Sequence, residues 1–219
     1  MSLLKKLFTS INASTSTTPN NTMQVTDRGS MFKATSAELS KILADSDKAI
    51  DAMHKADEQY DQDGDINKRI AVYEKYLKVK PQWNSFNFDM ALAKMYVKAG
   101  RNNDAWGYLN QMYIWSIDPT AVGGDVSKIR FEQFKILKSE KKYADAMVML
   151  VSSYLINAYE VKGIYFNKEK FIKDSKTTSK RLGHEEDSLR AFANDFERKL
   201  KAREIQEKDV QQYVAGYFR

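Results

Sequence analysis

The segment with the clearest metal-ligand chemistry is residues 61–65, Asp-Gln-Asp-Gly-Asp, whose carboxylates suggest a calcium-binding loop. Such a loop needs glycine at position six for a sharp turn and glutamate at position twelve to hold the ion with both oxygens. Counted from Asp61, these positions are Ile66 and Val72. We therefore interpret the segment as an acidic turn between two helices, with Asp65 as the N-cap of the second.

The other residue types that could support catalysis or metal binding are sparse. The chain has two histidines, His54 and His184, and no cysteine, and residues 184–186 lack the second histidine that a helical zinc motif requires. A Gly-x-Ser-x-Gly elbow is absent, and no Lys-Ser or Lys-Thr follows the glycine pair at 123–124 to form a phosphate-binding loop. The sequence therefore predicts a protein that is not an enzyme, with no catalytic residue, metal or cofactor.

Composition restricts the fold before any element is assigned. Of 219 residues only 9 are glycine and 3 are proline, which argues against turn-rich β-sandwiches, and 42% are hydrophobic, which is enough to fill a core. No apolar run approaches the ~20 residues of a transmembrane helix. The net charge of +6 comes from lysines and arginines interleaved with acidic residues, so nucleic-acid binding is not favoured. The lack of cysteine fits a reducing compartment, and we expect a cytoplasmic protein.

Residues 1–34 are predicted to be a flexible N-terminal tail. The first eight residues, MSLLKKLF, are amphipathic, but the Ser/Thr/Asn-rich stretch that follows cannot form the apolar core of a secretory signal. One interpretation is a frayed terminus, since isolated helices this short are marginal. The other is a weak docking peptide for a membrane surface or a partner.

Order is expected to begin at Thr35, where residues 35–38 have the spacing of a capping box. From there apolar residues recur at helical spacing and no segment alternates as a strand would. The pattern predicts an all-α chain with helices at 36–62, 65–79, 85–99, 103–117, 126–139, 142–160, 167–181, 185–205 and 208–218.

Two of these helix pairs repeat each other. Three residue types recur at offsets of 36, 36 and 38 residues, with Tyr60, Gly64 and Pro81 returning as Tyr96, Gly100 and Pro119. The pattern resembles the tetratricopeptide repeat, whose unit of about 34 residues is a helical hairpin. Two positions of the first unit depart from that family: Asp57 stands in place of glycine, and Arg69 in place of a small residue.

The resemblance implies a right-handed α-α superhelix of stacked hairpins over residues 35–160, followed by a C-terminal helical cap or interaction segment over 161–219. Two apolar stripes mark that second region: Leu189, Phe192, Phe196 and Leu200, then Val210, Tyr213, Val214, Tyr217 and Phe218. These stripes either cap the array or form an exposed surface for a homodimer or another partner.

The family binds an extended peptide in a concave groove lined by the first helix of each pair. By resemblance, the partner-binding residues are Asn87, Met90, Lys94, Lys98, Lys128, Phe131, Lys135 and Lys138. Lys94 and Lys135 are expected to lie side by side and to bind an acidic segment that is anchored apolarly at Met90 and Phe131. The alternative is that these lysines are ordinary solvated side chains, partly neutralised by Glu132.

The predicted function is a non-enzymatic scaffold that binds a protein or peptide, with an acidic segment favoured. An alternative is a structural subunit that homo-oligomerises through its C-terminal helices. A third is a basic factor that acts on nucleic acid or a membrane surface through its two ends.

Overall fold

The computed structural model describes residues 36–79, 86–117, 125–160 and 164–218. Within these ranges the chain is helical and contains no strand, so the all-α prediction is confirmed. Every predicted helix is present, with its ends within three residues of the prediction. The described residues form nine α-helices: α1 (Ser36–Gln62), α2 (Ile66–Val79), α3 (Phe86–Lys98), α4 (Asn102–Ser116), α5 (Val126–Ser139), α6 (Tyr143–Glu160), α7 (Lys168–Arg181), α8 (Glu186–Ala202) and α9 (Val210–Tyr217). A 3₁₀ turn, Glu207–Asp209, precedes α9.

The chain divides into two compact units, Met1–Lys41 and Ile42–Arg219. In the first, only residues 36–41 are described, and the predicted tail over 1–34 lies outside the described residues. In the second, consecutive helices from α2 to α8 pack on their neighbours, α3 also contacts α5, and α9 packs on α6. Short connections between consecutive helices favour this arrangement of neighbours.

Side-chain caps fix the starts of α2 and α5 in the second unit. The Asp65 carboxylate accepts the backbone N–H of Lys68 at 3.1 Å, which confirms its predicted role as the N-cap of α2. The Asp125 carboxylate accepts the backbone N–H of Lys128 at 3.0 Å and begins α5 in the same way. Each cap satisfies one of the donors that the first turn of a helix leaves unpaired.

Helix ends use left-handed residues. Gly64, Gly100 and Gly183 have φ values of 70°, 74° and 85°, the left-handed conformation that glycine adopts without a Cβ penalty. Lys141 and Arg203, at the ends of α5 and α8, have φ values of 62° and 56° although both carry a Cβ. Non-glycine residues pay roughly 1–2 kcal/mol for this conformation.

The ends of α3 and α5 are equivalent in their hydrogen bonds. The Arg101 N–H donates to the Tyr96 carbonyl at 2.8 Å, and the Lys142 N–H donates to the Leu137 carbonyl at 2.9 Å. The two turns differ in that the left-handed residue is glycine in the first and lysine in the second, so they form a matched pair for mutation.

Exchanging the residue type at these two turns should change stability in opposite directions. Lys141→Gly should raise the free energy of unfolding by about 0.5–1 kcal/mol, because the relieved strain exceeds the extra chain entropy of glycine. Gly100→Ala should lower it by about 1–2 kcal/mol. A Cβ at Gly100 meets no atom within 4 Å, so this cost is conformational. Urea denaturation measures both, with Lys141→Ala as the control; effects of the same sign would contradict the strain argument.

The apolar interior consists of two clusters that share α5. The N-terminal core is formed by α1 to α5 and includes Ile129 and Ile136. The C-terminal core is formed by α5 to α9 and includes Phe134 and Leu137. One helix, α5, therefore contributes side chains to both cores. The C-terminal core includes helices from both sides of residue 160, the predicted boundary between the repeat region and the C-terminal segment.

The two C-terminal apolar stripes are covered by the chain itself. Leu189, Phe192, Phe196 and Leu200 are at most 1% exposed, and Val210 and Val214 are buried in the same core. Tyr217, which is 39% exposed, is the large side chain of these stripes that faces solvent. This burial fits the interpretation that the C-terminal helices cap the array. It leaves little exposed apolar surface on these stripes for the homo-oligomer that was the alternative prediction.

Candidate functional site: a cationic surface on α3, α5 and α7

Two of the predicted lysines converge on one carboxylate. The Lys135 ammonium lies 2.9 Å from Oε1 of Glu132, and the Lys94 ammonium lies 3.8 Å from the same oxygen. The Glu132 side chain is largely covered, whereas both lysine side chains are about half exposed. The structure thus brings Lys94 of α3 and Lys135 of α5 together, with one partly buried carboxylate between two cations.

Phe131 provides an apolar surface among the lysines. Its half-buried ring packs against the C-terminal core and lies 5.6 Å, between ring centroids, from Phe134. The Lys135 ammonium is 5.0 Å from the Phe131 centroid, and the Lys170 ammonium of α7 is 5.5 Å from it. An ammonium near an aromatic face is attracted by the ring quadrupole, so both lysines are held near this ring.

Lys170 was not predicted as a site residue. Its ammonium donates to the Tyr154 hydroxyl oxygen and to the Asp174 carboxylate, at 3.3 Å each, and the Tyr154 hydroxyl donates to the same carboxylate at 2.7 Å. Burial, followed by this hydrogen bond, raises the pKa of Tyr154 well above its usual value, so its hydroxyl stays a neutral donor. This network holds Lys170 beside Phe131.

A groove of about 250 Å³ lies beside Lys94, between α2 and α3. Its apolar lining comes from Ile66, Ala91 and Met95, and its charged lining from Arg69, Lys94 and Lys98. Among the described side chains, no carboxylate lies within 4.0 Å of the Lys98 ammonium. The groove therefore combines an apolar lining with a cation that no described carboxylate pairs with.

The other predicted site residues lie in different settings. Asn87 is exposed on α3. Lys138 lies with its ammonium 5.6 Å from the Phe134 ring. Lys128 pairs with Asp125 at 2.9 Å. Met90 is 5% exposed and lies in the N-terminal core, so the prediction that it anchors a partner at the surface is wrong.

We call the side chains Lys94, Lys98, Lys135, Lys138 and Lys170, together with Phe131, the cationic surface. Three of the five ammonium groups pair with a carboxylate: those of Lys94 and Lys135 with Glu132, and that of Lys170 with Asp174. Clustered charge of one sign raises the local concentration of oppositely charged ligands, and salt weakens the effect.

The residues first considered for metal or catalytic chemistry serve other roles. His54 makes an edge contact with Phe88 at 6.0 Å, and His184 makes one with Phe218 at 5.0 Å, measured between ring centroids. The aspartates of residues 61–65 include a helix cap and an ion-pair partner. Within the part of the chain that the structure describes, no group of His, Asp or Glu side chains is arranged to hold a metal ion.

No family model, curated protein or solved structure matches this chain. The likeness to tetratricopeptide repeats therefore depends on the residue pattern alone. Among the described helices, none combines the length and the apolar composition that a bilayer span requires.

Proposed function

We propose that this chain is a non-enzymatic, cytoplasmic scaffold that binds an acidic segment of another protein on the cationic surface. The observation that supports the proposal is the convergence of lysines from α3, α5 and α7 around Phe131. Three helices contribute to one continuous strip of charge beside an accessible aromatic ring. An extended segment with several carboxylates and one apolar side chain matches this combination.

The proposal includes an architecture. We infer that α1 to α6 form three tetratricopeptide-like hairpins stacked as a right-handed superhelix, with α7 to α9 as the cap. The support is the repeated residue pattern, the left-handed glycines at two equivalent exits, and the contact of α3 with α5. In such a stack the first helices of successive hairpins lie side by side, which brings Lys94 and Lys135 together.

The binding strength follows from the exposure of the lysines. An exposed ion pair contributes about 0–1 kcal/mol, so several pairs and a contact with Phe131 are needed for measurable affinity. Binding should also weaken as salt shortens the Debye length from about 30 Å at 0.01 M to about 8 Å at 0.15 M.

Reversing the two lysines that converge on Glu132 should abolish most of this binding. For Lys94→Glu/Lys135→Glu we expect about a tenfold weaker affinity for a glutamate-rich peptide with one phenylalanine, because two attractive contacts become repulsive. Fluorescence anisotropy with a labelled peptide measures the change.

The matched control is Lys75→Glu/Lys180→Glu, which makes the same change in net charge at exposed positions outside the cationic surface. Circular dichroism verifies that both variants are folded. An equal loss of affinity in the two variants would show that net charge, and not this surface, governs binding.

A further inference from the structure

We propose that the acidic segment recognised by the cationic surface is the exposed face of α1 in a second copy of this chain. The inference depends on the proposed function, since the same lysines supply the binding surface. It predicts that the protein associates with itself through surfaces of opposite charge.

One face of α1 carries a row of carboxylates. Four exposed acidic residues are separated by 4, 7 and 3 positions along the helix: Asp47, Asp51, Glu58 and Asp61. Because an α-helix turns by about 100° per residue, these four side chains lie within about 80° of one another around the helix axis. The opposite face carries Met53 and Ala56, which are at most 3% exposed. We call the four carboxylates the acidic face; it is directed away from the core that α1 helps to form.

Three of the four carboxylates of the acidic face form no ion pair with the described side chains. Among the described side chains, no Lys or Arg lies within 4.0 Å of the carboxylates of Asp47, Asp51 or Glu58. Asp61 is the exception, because it pairs with Arg69 at 2.8 Å. Asp47 and Asp51, one turn apart, therefore repel each other, and Glu58 adds a third carboxylate about 10 Å further along the helix. A cationic surface would relieve that repulsion.

The two surfaces do not neutralise each other within one chain. The ammonium groups of Lys94, Lys135 and Lys170 pair with Glu132 and Asp174, which belong to the cationic region itself. The carboxylates of the acidic face and the lysines of the cationic surface thus lie on different helices of one molecule. Contact between two molecules can bring an acidic face against a cationic surface.

The dimensions of the two surfaces are compatible. Asp47 and Glu58 are about 16 Å apart along α1 at 1.5 Å per residue. On the cationic surface, Lys98 lies one helical turn from Lys94 on α3, and Lys135 of α5 lies beside Lys94. Three carboxylates along one helix can therefore meet cations from two helices that lie side by side.

The experiment uses charge reversal in both surfaces of the full chain. The acidic-face variant is Asp47→Lys/Asp51→Lys/Glu58→Lys, and the cationic-surface variant is Lys94→Glu/Lys98→Glu/Lys135→Glu. Sedimentation velocity at several protein concentrations and about 0.01 M ionic strength should show concentration-dependent association of the wild type. Each variant alone should remain monomeric, and an equimolar mixture should associate again.

The design separates a specific contact from general attraction. The cationic-surface variant has a net charge of zero, so its recovery with the acidic-face variant cannot come from opposite net charges. Lys75→Glu/Lys180→Glu/Lys208→Glu makes the same net change at exposed positions elsewhere and should still associate. Between about 0.01 M and 0.15 M ionic strength we expect the dissociation constant of the wild type to rise about tenfold.

A wild type that stays monomeric at low ionic strength would overturn the inference. So would association that survives the acidic-face variant, or a mixture of the two variants that does not recover it. The acidic-face variant retains the cationic surface and should still bind the glutamate-rich peptide. A wild type that binds this peptide but does not self-associate rejects the inference and leaves the proposed function standing. A folded wild type that does neither rejects both.

Discussion

Replacing Phe196 with alanine should lower the free energy of unfolding by about 3–5 kcal/mol, the largest effect that we expect from a single substitution in this chain. Phe196 is fully buried, and its ring centroid lies 5.2 Å from that of Phe166 and 5.7 Å from that of Phe171. Removing the ring loses apolar burial and leaves a cavity among aromatic neighbours that are themselves packed tightly.

Urea denaturation followed by far-UV circular dichroism measures this change. Tyr165→Ala provides the control, because it deletes an aromatic ring that is 65% exposed and should change stability by less than about 0.5 kcal/mol. A loss below about 1 kcal/mol for Phe196→Ala would mean that the C-terminal core tolerates the cavity, contrary to its packing.

The second large effect should come from the ionic contact between α1 and α2. The Arg69 guanidinium donates through Nε to Asp57 at 2.6 Å, and the Tyr73 hydroxyl donates to the other oxygen of that carboxylate at 2.8 Å. Burial, followed by the hydrogen bond to Asp57, raises the pKa of Tyr73 well above its usual value, so it acts as a neutral donor. Asp57 thus satisfies two partly buried groups at once.

Asp57→Ala should lower the free energy of unfolding by about 1.5–3 kcal/mol, because it leaves the Arg69 charge and the Tyr73 hydroxyl without their acceptor. Asp57→Ala/Arg69→Ala should be less destabilising than the sum of the single variants by at least about 1 kcal/mol. Thermal and urea unfolding of the four proteins give the coupling energy.

Asp61→Ala serves as the control for this cycle. Asp61 also pairs with Arg69, at 2.8 Å, but its side chain is 61% exposed, so we expect a loss below about 1 kcal/mol. Additive effects of Asp57→Ala and Arg69→Ala would show that the two residues do not act as a pair.

This pair also explains two departures from the repeat pattern. Asp57 and Arg69 each stand where tetratricopeptide repeats, which the sequence resembles, have a small residue, and from the sequence each is an isolated exception. In the structure the two exceptions contact each other, so the larger side chains and their opposite charges are compatible. A single sequence does not show this coupling, because the residues are 12 positions apart and belong to different helices.

The cationic surface was predictable in part. The helical spacing of Lys94 and Lys98 and the repeat register together placed Lys94 near Lys135, and the structure brings these residues together. Met90 was assigned to the wrong face. The reason is that α3 is buried on most of its circumference, including Asp89 and Leu92, so helical periodicity does not separate a groove-facing position from a core-facing one.

The sequence by itself determined where the helices lie and how they begin and end. Apolar periodicity, an aspartate such as Asp65 at a helix start and a glycine such as Gly100 at a helix end act within a few residues of the chain. These local interactions do not depend on which segments pack together, and therefore one sequence is enough to read them.

Only the tertiary structure decided which surfaces are covered and which side chains meet. The C-terminal stripes could have capped the chain or bound a partner, and packing of α9 on α6 buries most of their side chains while Tyr217 stays exposed. Lys170 reaches Phe131, and α5 closes two cores, through contacts between helices separated in sequence. Such contacts depend on the relative positions of whole helices, which the local pattern of any one helix does not contain.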